Sequence, residues 1–219
     1  MLPLLLVYEG SIAAGGNATR AAADVWLRSG LSWVGLNDVW WPPCLLVVGL
    51  LAWHAQQRRD WEVPLALLPA MAIESLLLAL VLVGMGKVID LGFAHLDGLP
   101  KLAADPGPLG PAWLDYLGAG LYEEVLFRLL LVSLIAIALK AIGTPKVLGA
   151  VVTMSGSALV FALAHHVGGP GETFTWFAFV FRWTAGVFFA WVFLERGFGV
   201  AVGTHTAYDV LVGCFGWQL

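Results

Sequence analysis

Three short runs of this sequence set acids, imidazoles and a guanidinium one helical turn apart inside apolar surroundings. Glu123, Glu124 and Arg128 fall in AGLYEEVLFRLLLV, Phe161 and His165 in ALVFALAHH, and His205 and Asp209 in VGTHTAYDVLV. A charge at the middle of a bilayer costs about 2.5–3.5 kcal/mol or more on insertion scales, so such groups persist when they face one another or a wet cavity. Glu124 and Arg128 are i, i+4 and share a face, as are Phe161 and His165, and His205 and Asp209. Glu123 is rotated about 100° from Glu124 and is free to point elsewhere. Three stretches each presenting one polar stripe imply one shared polar site, to which Arg182 adds a further buried charge.

The chemistry follows by elimination. No HExxH pair is present, so the usual helical zinc-protease arrangement is absent. Met154-Ser155-Gly156-Ser157 lacks the glycine that precedes a nucleophilic serine turn, and Tyr208-Asp209 has no second aspartate of an intramembrane aspartyl pair. What remains is a carboxylate working with histidines. A carboxylate in a low-dielectric pocket holds a proton more readily and becomes a usable general base. Glu123 would take a proton from a water held jointly with His165, and His205 with Asp209 would hold the developing oxyanion. An ionised Asp209 cannot donate a hydrogen bond. It must either be protonated or orient the His205 ring, and the second role is the one read here.

These side chains need apolar helices to carry them. The chain has 219 residues, 60% hydrophobic and 12% charged, against about 25% charged in soluble domains. Its mean hydropathy is +0.85. Lipid must face most of the surface. The fold class is therefore all-α: a polytopic membrane bundle of about six to seven transmembrane helices, multi-pass in the cell membrane. The net charge of −4 is unclustered, so nucleic acid is excluded as a partner. The partners are the bilayer and a membrane-embedded or lipid-anchored protein substrate. Cys44 and Cys214 give neither a disulfide framework nor a CxxC site and read as packing residues. Trp40, Trp41, Trp53, Trp61, Trp113 and Trp217 lie near the ends of apolar runs, as interfacial tryptophans do.

Residues 1–14 are apolar but interrupted by Glu9 and read as a partial or interfacial helix. Residues 15–37, with Arg20, Asp24 and Arg28, read as an amphipathic linker. Spans are expected at 39–53 and 63–84, the second containing Glu74, with a non-spanning connection over 85–111. A long helix over 112–139 carries Asp115, Glu123, Glu124 and Arg128. Further spans are expected at 147–167, 173–194 and 198–217, with a turn at 168–171 and a tight connection at 195–197. Residues 1–111 thus form an N-terminal membrane region, and 112–219 a four-helix core that concentrates the ionisable groups. Arg58, Arg59, Lys140, Lys146 and Arg196 lie on one side in short loops, which places that side in the cytoplasm and Glu123 and His165 toward the other.

In order, EExxxR at 123–128, FxxxH at 161–165 and HxxxD at 205–209 resemble the motifs of the CPBP family, the CAAX proteases and bacteriocin-processing enzymes also called Abi. The resemblance covers residues 112–213. It implies an all-helical intramembrane endopeptidase whose eukaryotic branch removes the last three residues of prenylated CAAX proteins. Carried over, Glu123 is the catalytic glutamate, His165 its water-activating partner, and His205 with Asp209 the oxyanion-stabilising pair. Glu124 and Arg128 complete the first motif. Many members carry Asn where this chain has Asp209. The family is often labelled metalloprotease, but a glutamate mechanism with no cofactor is the expectation here. If zinc were the cofactor, Glu123, His165 and His205 would be its ligands.

Blander readings stand beside these. Glu124–Arg128 would serve as a structural ion pair, His166 as a solvated helix end, and Arg182 as a paired structural charge. Glu74 and Asp115 are assigned no catalysis. Gly186 and Ala190 form a small-xxx-small pair that lets helices approach closely. Two other functions use the same residues: a transporter or proton relay, for which no inverted repeat is visible, and an inactive immunity or scaffold member of the family.

Overall fold

A computed structural model describes residues 1–15, 20–58, 61–62, 64–95, 112–167 and 173–215. The described residues are mostly helical. The helices are α1 (Leu2–Ala13), α2 (Ala22–Ser32), α3 (Trp41–Gln56), α4 (Leu67–Ala94), α5 (Ala112–Glu124), a π-helical stretch (Val125–Val132), α6 (Ser133–Ala141), α7 (Lys146–Ala164), α8 (Trp176–Arg196) and α9 (Phe198–Phe215). The all-helical membrane bundle expected from composition is the architecture observed.

Among the described residues, three helices are long and apolar enough to cross a membrane by length and composition: α4, α7 and α8. At 1.5 Å per residue the 28 residues of α4 extend about 42 Å, more than the roughly 30 Å hydrocarbon core requires. The sequence expectation ended this span at residue 84. The helix runs ten residues further, through Asp90, because Met85–Ala94 contains no proline and its glycines do not break a helix held by neighbours. The rest of the expected connection, 96–111, lies outside the described residues. So do Arg59, the 168–171 turn and Trp217. The linker read over 15–37 is also corrected: it contains α2, whose Asp24 is buried and ion-paired.

Starts and stops have local causes. Prolines sit at the first positions of α1 and α3, where no intrahelical N–H is lost. Thr175 caps α8, its hydroxyl accepting from Ala178 N at 3.1 Å. Gly197 joins α8 to α9 at φ 89°, a left-handed conformation suited to glycine. Trp40, Trp41, Trp53, Trp61 and Trp113 are exposed on the protein surface, as interfacial residues must be. Cys44 is exposed as well, not packed inside as expected, because α3 turns that face away from its neighbours.

Packing centres on α9, which contacts α4, α5 and α8. One apolar cluster joins Leu5 and Tyr8 of α1, Ala23 of α2 and Leu46 of α3 to Leu114, Leu117 and Leu121 of α5. A second joins Ala79, Leu82 and Val83 of α4 to Phe181, Ala185 and Phe189 of α8 and Tyr208 of α9. Small residues set the closest approaches. A Cβ at Gly186 would lie 2.8 Å from Ala158 Cα, so α7 and α8 touch backbone to backbone where Gly186 and Ala190 were read as a packing pair. A Cβ at Gly120 would lie 2.7 Å from Thr206 N, which brings α5 against α9.

Candidate active site

Gly120 and Glu124 are one turn apart on α5, so the face that meets α9 at Thr206 also presents Glu124 to His205. Glu124 Oε1 lies 2.8 Å from His205 Nδ1. Its other oxygen, Oε2, lies 3.4 Å from Arg128 Nε, and both residues are fully buried. Arg128 reaches across to the Gly186 carbonyl at 3.5 Å, and its guanidinium lies 4.3 Å from the Phe161 ring centroid. The first motif is thus a buried ion pair resting on an aromatic face, with one carboxylate oxygen turned to a histidine.

The backbone changes winding directly after Glu124. Val125–Val132 is π-helical, a departure from the regular helix expected over 112–139. Such wider turns are frequent at functional sites, and no residue in VLFRLLLV announces one.

Glu123 points to a different place from Glu124, as their 100° separation requires. Its Oε2 lies 3.7 Å from His165 Nε2 and 3.7 Å from His205 Nε2. That oxygen is buried and makes no direct hydrogen bond in the protein. His165 stands at the end of α7, where its Nδ1 is 2.8 Å from the Phe161 carbonyl oxygen. A carbonyl only accepts, so Nδ1 carries a proton and Nε2 is the nitrogen turned toward Glu123. His205 is 4% exposed and stacks on Phe189 at 4.4 Å between centroids. Phe161 borders both histidines, at 4.6 Å from His165 and 6.2 Å from His205. Asp209 Oδ2 lies 3.5 Å from His205 Nε2.

Glu123, Glu124, Arg128, His165, His205 and Asp209 are therefore brought into one cluster from α5, the π-helical stretch, α7 and α9. Two carboxylates flank the His205 ring, Glu124 at Nδ1 and Asp209 on the Nε2 side. The Arg182 charge falls within electrostatic reach of Glu123, His165 and Asp209. His166 is partly buried with its ring edge on Phe174 at 5.1 Å, so it is not a solvated end. Glu74 pairs with Arg196 through two hydrogen bonds away from the cluster, and Asp115 is exposed.

Among the described residues, no group of three or more His, Cys, Asp or Glu side chains is arranged to hold a metal ion. Glu123, His165 and His205 are the residues that would hold a zinc ion, and no step below runs through a metal.

Residues 105–211 match the family described as Type II CAAX prenyl endopeptidase Rce1-like. That stretch holds all six clustered residues, from Glu123 to Asp209. The match supports the CPBP family of CAAX proteases. No curated protein and no solved structure matches it. The family match and the apolar helices together indicate a membrane protein. The CPBP match begins after the described part of α4, so α1–α4 lie outside it.

Sequence reasoning missed two features around the site. One is the Glu124–His205 contact, signalled only by the presence of two adjacent acids that cannot both face the same way. The other is a polar network on α1 and α2, signalled by the spacing of Arg20, Asp24 and Arg28 at i, i+4, i+8.

Proposed function

We propose that the chain is an intramembrane endopeptidase of the cell membrane that hydrolyses peptide bonds near the C-termini of membrane-anchored or prenylated proteins. The observation that carries this is the buried Oε2 of Glu123, equidistant from two imidazole Nε2 atoms and without a partner of its own.

A separation of 3.7 Å is too long for a direct hydrogen bond, but one water at about 2.8 Å from each atom spans it. The lone pair of His165 Nε2 accepts one water proton and Glu123 accepts the other. The water oxygen is then left aimed at a scissile carbonyl. As it attacks, Glu123 takes the proton and later returns it to the leaving amine.

His205 serves the oxygen of the tetrahedral intermediate. With Glu124 accepting at Nδ1 and offsetting the charge, a doubly protonated ring has an Nε2–H to donate to the oxyanion. Asp209, on that same side, contributes a second donor when its carboxyl is protonated. Glu124 is held by Arg128, so the orientation of His205 is fixed before substrate arrives. No metal is needed in this sequence of steps.

The test is mass spectrometry of the purified protein in proteoliposomes, incubated with a farnesylated peptide ending in a CAAX sequence and with an acylated membrane-anchored peptide. Release of a short C-terminal fragment from either supports the reading. Intact peptides after prolonged incubation with folded protein contradict it.

A further inference from the structure

A second group of buried ionisable side chains lies against α5 and comes from α1 and α2, outside the family match. Glu9 is 7% exposed and Asp24 is fully buried. Arg20 Nη1 lies 2.6 Å from Asp24 and 3.3 Å from Glu9. Arg28 reaches the same two acids, at 2.7 Å and 3.1 Å, and also donates to the Val39 carbonyl at the entry to α3. Tyr8 donates to Asp24 at 3.2 Å and accepts from Ala21 N at 3.0 Å. Two carboxylates balance two guanidiniums, and every carboxylate oxygen has a partner.

One more donor enters this network from α5. Tyr122 is fully buried and its hydroxyl donates to Glu9 Oε1. Tyr122 immediately precedes Glu123. Gly118, one turn earlier on the same face, is where Tyr8 and Ala21 press closest: a Cβ there would lie 2.9 Å from Ala21 Cβ. Gly120 and Glu124 lie roughly 200° around the helix from Gly118 and Tyr122, on the side that meets α9. The same turn of α5 is therefore held on one face by the Glu9 network and on the other by Thr206 and His205. Glu9 is itself fixed by two arginines, so the Tyr122 bond ends on a rigid acceptor.

We infer that Tyr122 and Glu9 are positioning residues for the hydrolysis: their hydrogen bond fixes the rotation of α5 about its axis and so the directions of Glu123 and Glu124. This rests on the glutamate mechanism proposed above. The 2.8 Å contact between Glu124 and His205 leaves little slack. A misplacement of about 1 Å in a reacting group can cost on the order of 10²-fold. The segment before the family match is thereby part of the catalytic unit and not an appended anchor.

The test compares Tyr122→Phe, Glu9→Gln and the double variant, each purified in the full chain, with Glu123→Gln alongside. Two readouts are taken: kinetics on whichever peptide the wild type cleaves, and hydrogen exchange of the segment 118–126. Each single variant is expected to lower kcat roughly tenfold with KM within about twofold, and the double variant is expected to be no worse than the weaker single, because one shared bond is lost. Exchange over 118–126 should quicken in all three while α7 and α8 stay protected. A merely structural bond would lower thermal stability and leave kcat in place. Wild-type kcat in Tyr122→Phe with unchanged exchange overturns the inference, as do additive losses. If Tyr122→Phe is fully active while Glu123→Gln is dead, only this inference fails. If Glu123→Gln cleaves normally, the glutamate mechanism fails, and exchange over 118–126 alone decides whether the bond fixes α5.

Discussion

Glu124 Oε1 and His205 Nδ1 stand 2.8 Å apart across two helices, with Arg128 on the other oxygen of the same carboxylate. This contact decides how the imidazole can act. It fixes which nitrogen carries a proton at rest and leaves Nε2 facing Glu123.

Glu124→Gln tests it. The amide oxygen still accepts from Nδ1, but the negative charge that supports a doubly protonated ring is gone. Partners of this kind are usually worth about 10- to 100-fold, so kcat should fall by that factor with KM little changed. Steady-state kinetics on the folded variant reads this directly. Glu124→Ala goes further, since it strands the buried Arg128. Removing one partner of a buried pair costs about 3–5 kcal/mol, and that variant should melt early.

Asp209 is expected to act through donation and not as the orienter of His205. Asp209→Asn keeps a donor at the same place and should retain activity, losing any dependence on a protonated carboxyl. Asp209→Leu removes the donor and should lower kcat on the order of 10²-fold or more. Inactivity of the Asn variant with a normal fold would return Asp209 to the orienting role.

The close approach at Gly120 makes a steric prediction. Its Cβ would meet backbone, Thr206 N at 2.7 Å and Thr206 Cα at 2.9 Å, and backbone cannot rotate aside. Gly120→Ala should cost about 1–3 kcal/mol by overpacking and also lower cleavage by pushing Glu124 from His205. Gly156→Ala is the matched control, because nothing lies within 4 Å of its Cβ position. Thermal unfolding in detergent, paired with activity, separates the two.

Much of the fold was readable because a bilayer imposes one rule on every span. The apolar runs of α7, α8 and α9 ended within a few residues of where their composition predicted. The candidate site was readable because buried charge is costly: Glu123, His165 and His205 had no other physical reason to sit in such surroundings. Distances between helices were not readable. That Glu124 meets His205, and that Asp209 falls on the far nitrogen, depends on Gly120 letting α5 and α9 touch. The π-helical turn after Glu124 leaves no pattern in VLFRLLLV. Glu9 looked like an interruption of an apolar run because its partners, Arg20, Arg28 and Tyr122, are distant in sequence.

The proposed steps use water, Glu123 and imidazole, so chelation should leave them untouched. Dialysis against EDTA followed by 1,10-phenanthroline is expected to preserve cleavage. Loss of activity that zinc alone restores would assign Glu123, His165 and His205 as ligands instead.

The convergence of Glu123 with His165 and His205 around one water is tested most directly by Glu123→Gln. The amide has nearly the same shape and cannot take the proton. The purified variant, with wild-type thermal unfolding, should lose between about 10²- and 10⁴-fold in the single-turnover rate of peptide cleavage. Cleavage at the wild-type rate by that folded variant would contradict the account.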